Sequence, residues 1–331
     1  MKKVLNLKSI LLAIMIVFVS LVNVGCGGSA NEDSIDEGEK DAANKEIVLN
    51  TFDHEVKYDK VPERVVSMNL HTTENLLALG LGDMIVGTAY GNAEILPEYK
   101  DIYESIPELA EKYPSMEVLL SVEPDFVYGR SSAFGEKGTA SVDTLVENGI
   151  MPYVSKATYT QGATIEDTFE DFYNLGRIFD IEDRAEELVN EMKMKIENVQ
   201  SKTDKIDNKL RIFVYDSGMD QAYTAGKSLQ TNIISLAGGK NIFDDIEKTW
   251  AKVNWETVVE RDPNCIVIND YGNTSAEEKI EFLKSNPALS EITAIKENRF
   301  VILPLPSVFT GVRNGDAVEY LAKEFYPELF K

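Results

Sequence analysis

Apolar residues along this chain fall into two alternating patterns. At residues 64–68, 84–88, 126–128 and 151–154 they form short runs of the kind that become buried strands. The stretches between them repeat apolar residues at helical spacing, as at 73–79, which ends on Gly80. Past residue 207 the alternation returns, with strand-like runs at 211–215, 265–269 and 300–303 and helical patterns at 229–237 and 315–325. Gly238-Gly239 is placed to end the first of those helices in the left-handed conformation. Short strands alternating with helices predict βαβ units and mostly parallel sheets, an α/β fold.

Between the two halves no strand pattern occurs. Residues 165–179 and 182–201 each read as one amphipathic helix. In the second, Ala185, Leu188, Val189, Met192, Ile196 and Val199 share one stripe at the helical period. A helix of that length spans about 30 Å, enough to join two lobes through a stiff strut. The halves also echo one another. Glu117 precedes Pro124 by seven residues, Glu256 precedes Pro263 by seven, and an apolar strand follows each proline. The expected organisation is an N-terminal lobe over 46–163, a helical connector over 164–206 and a C-terminal lobe over 207–331.

Composition narrows the function classes. The chain has 331 residues, 44% apolar and 27% charged, close to the globular average. A formal charge of -23 argues against nucleic acid, where affinity rests on Lys and Arg neutralising phosphates. Two cysteines are too few for a disulfide framework, and Cys265 lies in a strand-like run where a free thiol behaves as a small hydrophobe.

Residues 1–25 read as a targeting segment. Lys2, Lys3 and Lys8 precede an apolar run at 10–24 that is short for a membrane span, and the small Gly25 stands before Cys26. The junction resembles the lipobox of bacterial lipoproteins, although Asn23 stands where that motif usually has Leu. The resemblance implies that Cys26 is lipidated and becomes the mature N-terminus. Residues 26–45 are rich in acids and nearly free of large apolar side chains, which predicts a disordered tether. Cleavage before Cys26 removes three lysines and no acid, taking the charge from -23 to -26. Such an acidic leash would hold the folded part away from an anionic bilayer.

Four runs carry a family resemblance: VPERVVSMNLHTTENLLALGLGDMIVG at 61–87, PSMEVLLSVEPDFVYG at 114–129, YTAGKSLQTNIISLAGGKNIF at 223–243 and WAKVNWETVVERDPNCIVI at 250–268. In that order they resemble the iron-siderophore, haem and cobalamin class of substrate-binding proteins of ABC importers. The resemblance covers 46–331. It implies two doubly wound, Rossmann-like lobes joined by a rigid long helix, with a ligand cleft between them. It also implies a monomer outside the cytoplasm, held to the membrane by its lipid, that hands a small-molecule chelate to an ABC permease dimer with its ATPase. The implied cargo is an iron complex, a ferric siderophore first, with haem or a corrinoid next. No cofactor of the protein's own is implied.

In open parallel sheets, ligands lie beyond the carboxyl ends of the strands. That rule selects His71, Tyr90 and Arg130 in the first half, and Tyr223, Trp250, Tyr271, Phe309 and Arg313 in the second. Tyr223 and Trp250 fall where cobalamin-binding relatives place aromatic contacts, whereas Arg130 falls where such a relative has an aromatic. Arg130 is a candidate for an anionic ligand group, or else a solvated loop charge. Arg313 reads as a ligand contact or as a structural cation pairing with an acid such as Asp316. His71 reads as a polar contact or as a metal ligand. Family glutamates matching Glu117 and Glu256 dock the binding protein onto arginines of the two permease subunits, so the resemblance implies that role here.

Other classes fit less well. Proteins of related architecture that bind bare metal use several His and carboxylates, and this chain has only His54 and His71. No G-x-S-x-G turn occurs, and Gly80, Gly82 and Gly87 miss the dinucleotide fingerprint in spacing and context. An enzyme is therefore not expected. An orphan ligand sensor or an adhesin with the same fold is the alternative.

Overall fold

A computed structural model gives the architecture of residues 46–331. The targeting segment, Cys26 and the tether expected over 26–45 lie outside the described residues. The described chain opens with an antiparallel hairpin, β1 (Ile47–Thr51) and β2 (His54–Tyr58). Its turn residues Phe52 and Asp53 have φ of 50° and 63°, the left-handed pair that matches the twist of the strands. This hairpin is absent from the sequence expectation, although the period-two alternation of its strands was the signal for it. His54 on β2 bonds Asp143 at 3.0 Å, and among the described residues it belongs to no cluster of three or more metal-ligating side chains.

Five parallel strands follow: β3 (Val65–Ser67), β4 (Ile85–Ala89), β5 (Glu108–Ala110), β6 (Phe126–Gly129) and β7 (Met151–Val154). They lie side by side in the order β5-β4-β3-β6-β7, so the chain winds outward from β3 in one direction and then in the other. The crossovers are helices α1 (Leu70–Ala78), α2 (Lys100–Ser105), α3 (Met116–Ser121) and α4 (Val142–Glu147). α1 begins three residues before the expected start at residue 73. The cause is local: the Asn69 N–H donates to Thr72 Oγ1 at 3.2 Å, which closes the first turn early.

The connector consists of α5 (Ile165–Ile178) and α6 (Glu182–Thr203), as the apolar stripes predict. α6 buries Ala185, Val189, Met192, Ile196 and Val199. At about 33 Å it reaches from one lobe to the other. Arg184 at its start lies over Gly80, and Thr203 at its end lies against Gly238. On α5, the fully buried Asp171 accepts bonds from Tyr153 Oη (2.7 Å), Ser155 Oγ (3.3 Å) and the Lys156 N–H (3.0 Å). These bonds tie the connector to the end of β7. Burial still outweighs them and raises the Asp171 carboxyl to about 7.

The second lobe is built from β8 (Arg211–Tyr215), β9 (Ala222–Ala225), α7 (Leu229–Leu236), β10 (Lys240–Asn241), β11 (Trp250–Val253), α8 (Trp255–Arg261), β12 (Cys265–Asp270), α9 (Ala276–Ser285), α10 (Thr293–Lys296), β13 (Phe300–Pro304) and α11 (Arg313–Phe325). Its parallel sheet has the order β10-β8-β12-β13, while β9 and β11 pair antiparallel as a separate ribbon. Alternation along the strands divides two cores. Ile212, Val214, Cys265 and Val267 join one continuous core with the first lobe, the connector and α11. Phe213, Tyr215, Ile266 and Ile268 face a second core with Trp255 and Val258. Because the larger core runs through both lobes, separating them would expose apolar surface at about 25 cal/mol per Å².

The sequence echo has a structural counterpart. Glu123 and Asp262 end α3 and α8 in the left-handed conformation, with φ of 46° and 38°. Arg64 Nε donates to the Glu123 carbonyl at 2.8 Å, and Arg211 Nε donates to the Asp262 carbonyl at 3.0 Å. After each proline, a polar side chain accepts the N–H of that same arginine: Asp125 from Arg64 at 2.9 Å and Asn264 from Arg211 at 3.1 Å.

Candidate functional site

Strand order reverses between β3 and β6 in the first lobe, and a parallel sheet opens a crevice at such a point. Asn69 follows β3 and Arg130 follows β6, and the Arg130 N–H donates to Asn69 Oδ1 at 3.0 Å. Gly129 allows the approach, since a Cβ there would lie 2.8 Å from the Met68 Cβ. The Arg130 guanidinium lies 4.7 Å from the Tyr90 ring centre, 5.7 Å from Phe309 and 5.9 Å from Tyr113. Its Nε donates to Tyr113 Oη at 2.7 Å. Tyr90 itself has a φ of 57°, unusual for a bulky residue and a form of strain that collects at binding sites.

His71 lies beneath this group, in the first turn of α1. Only 4% of it is exposed, and its ring stacks on Phe309 with centres 5.0 Å apart. Its Nε2 has no hydrogen-bond partner among the described residues. Burial, and then the Arg130 charge, lower its pKa to about 3, so the imidazole is neutral at ordinary pH.

In the second lobe the strand order reverses between β8 and β12. Asp216 follows β8 and accepts bonds from Asn269 Nδ2 (3.1 Å), Tyr271 Oη (2.6 Å) and Ser217 Oγ (3.1 Å). Burial, and then that bond to Asp216, push the Tyr271 phenol well up, so it stays a donor. Lys279 Nζ sits 4.4 Å from the Tyr271 ring centre, and burial lowers its pKa. Tyr223 and Trp250 stack at 5.8 Å with ring planes 20° apart, held by the β9–β11 ladder. Beside Tyr223 opens a hollow of about 580 Å³, whose lining includes Met219, Asp220 and Lys252.

The loop after β4 and the ends of β12 and β13 face each other across a cavity of about 410 Å³. Asn92, Leu96 and Pro97 line one side, and Asp270, Tyr271 and Pro304 line the other. Arg313 borders this cavity, but its guanidinium is committed elsewhere. Nε donates to Glu74 Oε2 at 2.7 Å, a second nitrogen donates to Glu74 Oε1, and the Glu94 carbonyl accepts at 2.7 Å. The structural reading of Arg313 is the one this pairing supports, with one correction: the acid is Glu74 rather than Asp316, which pairs with Lys195. Asn75 reinforces the joint, donating to the Thr310 carbonyl and accepting from the Val312 N–H. Gly311 fits there because a Cβ would meet Asn75 Oδ1 at 2.8 Å.

The structure thus brings His71, Tyr90, Arg130 and Phe309 into one cluster, and Tyr223 with Trp250 into another. Tyr271 belongs with Asp216 and Lys279. Glu117 and Glu256 stand exposed in the first turns of α3 and α8. Tyr113, Glu74, Asp216 and Lys279 escaped sequence reasoning. Each acts through a partner far along the chain or across a loop: Tyr113 bonds Asn69, 44 positions away, and Glu74 bonds Arg313, 239 away.

A sequence model of the family described as periplasmic binding protein matches residues 65–306. An ABC transporter substrate-binding lipoprotein of Bacillus subtilis, YvrC, is 26% identical over 320 residues, 96% of each chain. The vitamin B12-binding protein of Yersinia pestis is 24% identical over 246 residues, 72% of this chain and 80% of that one. Among solved structures, a periplasmic binding protein from Veillonella parvula superposes with a TM-score of 0.79 at 34% identity, over 85% of this chain and 98% of that one.

Proposed function

This chain belongs to the periplasmic binding protein family, and we propose that it captures a metal chelate outside the cytoplasm and delivers it to an ABC permease and its ATPase. Its homologues are binding proteins of ABC transporters, not enzymes. The observation that carries the reading is the cluster at the first lobe's switch point, where Arg130 lies among Tyr90, Tyr113 and Phe309. Apolar walls with a few placed polar groups are what a small-molecule site requires. The cargo in this reading is a ferric siderophore, with haem or a corrinoid next. Relatives include a vitamin B12-binding protein, but Arg130 replaces an aromatic wall with a cation, which favours an iron chelate. In this reading the metal arrives already chelated.

The same reading assigns His71, Tyr90, Arg130, Phe309, Tyr223, Trp250 and Tyr271 to ligand contact. It assigns Glu117 and Glu256 to permease docking, and Cys26 to a lipid anchor on a monomer. Among the described residues no helix is long and apolar enough to cross a membrane. The full chain purified from membranes should carry its cargo, identified by mass spectrometry and an absorbance spectrum, in which iron catecholates, haem and corrinoids differ. Tyr223→Ala and Trp250→Ala should each weaken chelate binding, since an aromatic contact contributes about 0.5–1.5 kcal/mol beyond its area. Calorimetry showing tight binding of free Zn²⁺ or Mn²⁺ that is lost in His71→Ala would overturn the reading.

A further inference from the structure

A third cavity, of about 400 Å³, lies along α7 and shares no residue with the two hollows described above. Ser228, Thr231, Asn232 and Ser235 form one side of it. Offsets of three, four and seven put them on one face of the helix, and all four side chains are short and polar. Both ends of the connector border the cavity, Thr164 before α5 and Lys209 between α6 and β8. Its walls are fixed from within. Asn241 is buried, and its Nδ2 donates to the Ala225 carbonyl at 2.8 Å and to Thr231 Oγ1 at 2.7 Å. Asn232 Oδ1 accepts the Ile165 N–H at 2.9 Å, which ties α7 to the first turn of α5.

Charge on this cavity runs against the chain as a whole, which carries 56 acids and 33 bases. Lys209, Lys227 and Lys240 line it, with Asp244 as the one acid in the described lining. Glu247 pairs with Lys227, whereas Lys209 and Lys240 form no ion pair among the described residues. Lys227 precedes α7 and Lys240 follows it. The Lys240 N–H donates to the Leu210 carbonyl at 2.8 Å, which brings Lys209 to the same end as Lys240. Like charges gathered around one hollow repel unless an anion joins them. We propose that the cavity is a second binding site, for a small molecule that carries two or more linked phosphate groups. Lysine is a compact point charge that meets phosphate without a planar match. Arginine is the better partner for a planar carboxylate, and among the described residues none lines the cavity. Hydroxyl and amide groups along α7 add donors for phosphate oxygens. From Ser228 to Ser235 the helix rises about 10 Å, room for a short chain of phosphates between the two lysine ends. The site stands apart from the cleft and does not depend on what the cleft carries.

Calorimetry on the full chain at constant ionic strength tests this with tripolyphosphate, pyrophosphate and ATP, and with sulfate and citrate as comparators. The expected result is saturable binding of tripolyphosphate at or below about 1 mM, weaker binding of pyrophosphate, and a Tm that rises with added probe. Lys209→Gln and Lys240→Gln should each weaken tripolyphosphate binding about tenfold. Trp250→Ala in the cleft and Lys100→Gln on α2 should leave it unchanged. ATP distinguishes the source of the phosphates. Binding no tighter than that of tripolyphosphate marks the phosphate chain alone as what is read, tighter binding marks a nucleotide, and either supports the site. Citrate or sulfate binding as tightly as tripolyphosphate overturns the phosphate assignment. No saturable binding, binding unchanged in the variant with both lysines replaced, or binding lost in Trp250→Ala overturns the site itself.

Discussion

Glu74 and Arg313 form a two-pronged ion pair between α1 of the first lobe and the head of α11 in the second, 239 positions apart in sequence. Glu74 is 1% exposed and Arg313 11%. A buried pair of this kind adds little over a well-packed apolar pair, but losing one partner strands the other charge. Arg313→Met should therefore destabilise the protein by about 3 kcal/mol, and adding Glu74→Leu should recover most of that. Urea denaturation of the three variants measures it. If Arg313→Met leaves stability unchanged while chelate affinity collapses, Arg313 belongs to the ligand after all.

His71 and Asp171 should give stability opposite dependences on pH. Unfolded, they titrate near 6.5 and 3.8. Between about 3 and 6.5 the unfolded chain holds a proton on the histidine that the folded chain lacks, so stability rises with pH. Between 3.8 and about 7 the folded chain holds a proton on Asp171 that the unfolded chain has released, so stability falls as pH rises. Each slope reaches at most about 1.4 kcal/mol per pH unit. Relative to wild type, His71→Phe should lose stability as pH rises through this window, and Asp171→Asn should gain it. Denaturation curves at steps from pH 4 to 7 decide the matter, and three parallel profiles would refute it.

The docking assignment predicts a transport defect without a binding defect. Glu117 and Glu256 occupy equivalent first turns of α3 and α8, so two pseudo-symmetric lobes present one carboxylate each to a two-fold permease. Glu117→Arg with Glu256→Arg should abolish uptake while chelate affinity and Tm stay near wild type. Each single reversal should give a partial defect that deepens with added salt, because rim charges are screened. Normal uptake by the double variant would remove the assignment.

For the anchor, Cys26→Ser should release the protein into the medium or leave an unprocessed precursor. Cell fractionation and the mass of the N-terminal peptide read this out. Equal membrane retention of variant and wild type, with no added mass on Cys26, would rule lipidation out.

The parallel strands and the connector were legible because burial on both faces writes continuous apolar runs, and one-sided burial writes the α6 stripe from Ala185 to Val199. The echo around Pro124 and Pro263 was legible as spacing, though not its cause, the left-handed Glu123 and Asp262 capped by Arg64 and Arg211. The site was only partly legible. Arg130 stood out as a cation in a loop after a strand, but Tyr113 carries no signal until the fold brings it to Arg130. The partner of Arg313 was misread because its nearest acid in sequence, Asp316, is one turn along α11, whereas Glu74 reaches it only through lobe packing. His71 looked like a loop residue because the early start of α1 at Leu70 depends on one bond to Thr72.

α6 runs without a break from Arg184 under the first lobe to Thr203 under the second, and a continuous helix offers no residue at which its length could change. For a carrier that docks through Glu117 and Glu256, the spacing of those carboxylates is then nearly the same with and without cargo. On that docking assignment, empty and loaded carriers would compete for one transporter on almost equal terms. Import would then respond to the ratio of carriers to transporters as well as to cargo supply: beyond a certain abundance, each added empty carrier would occupy a transporter and slow uptake.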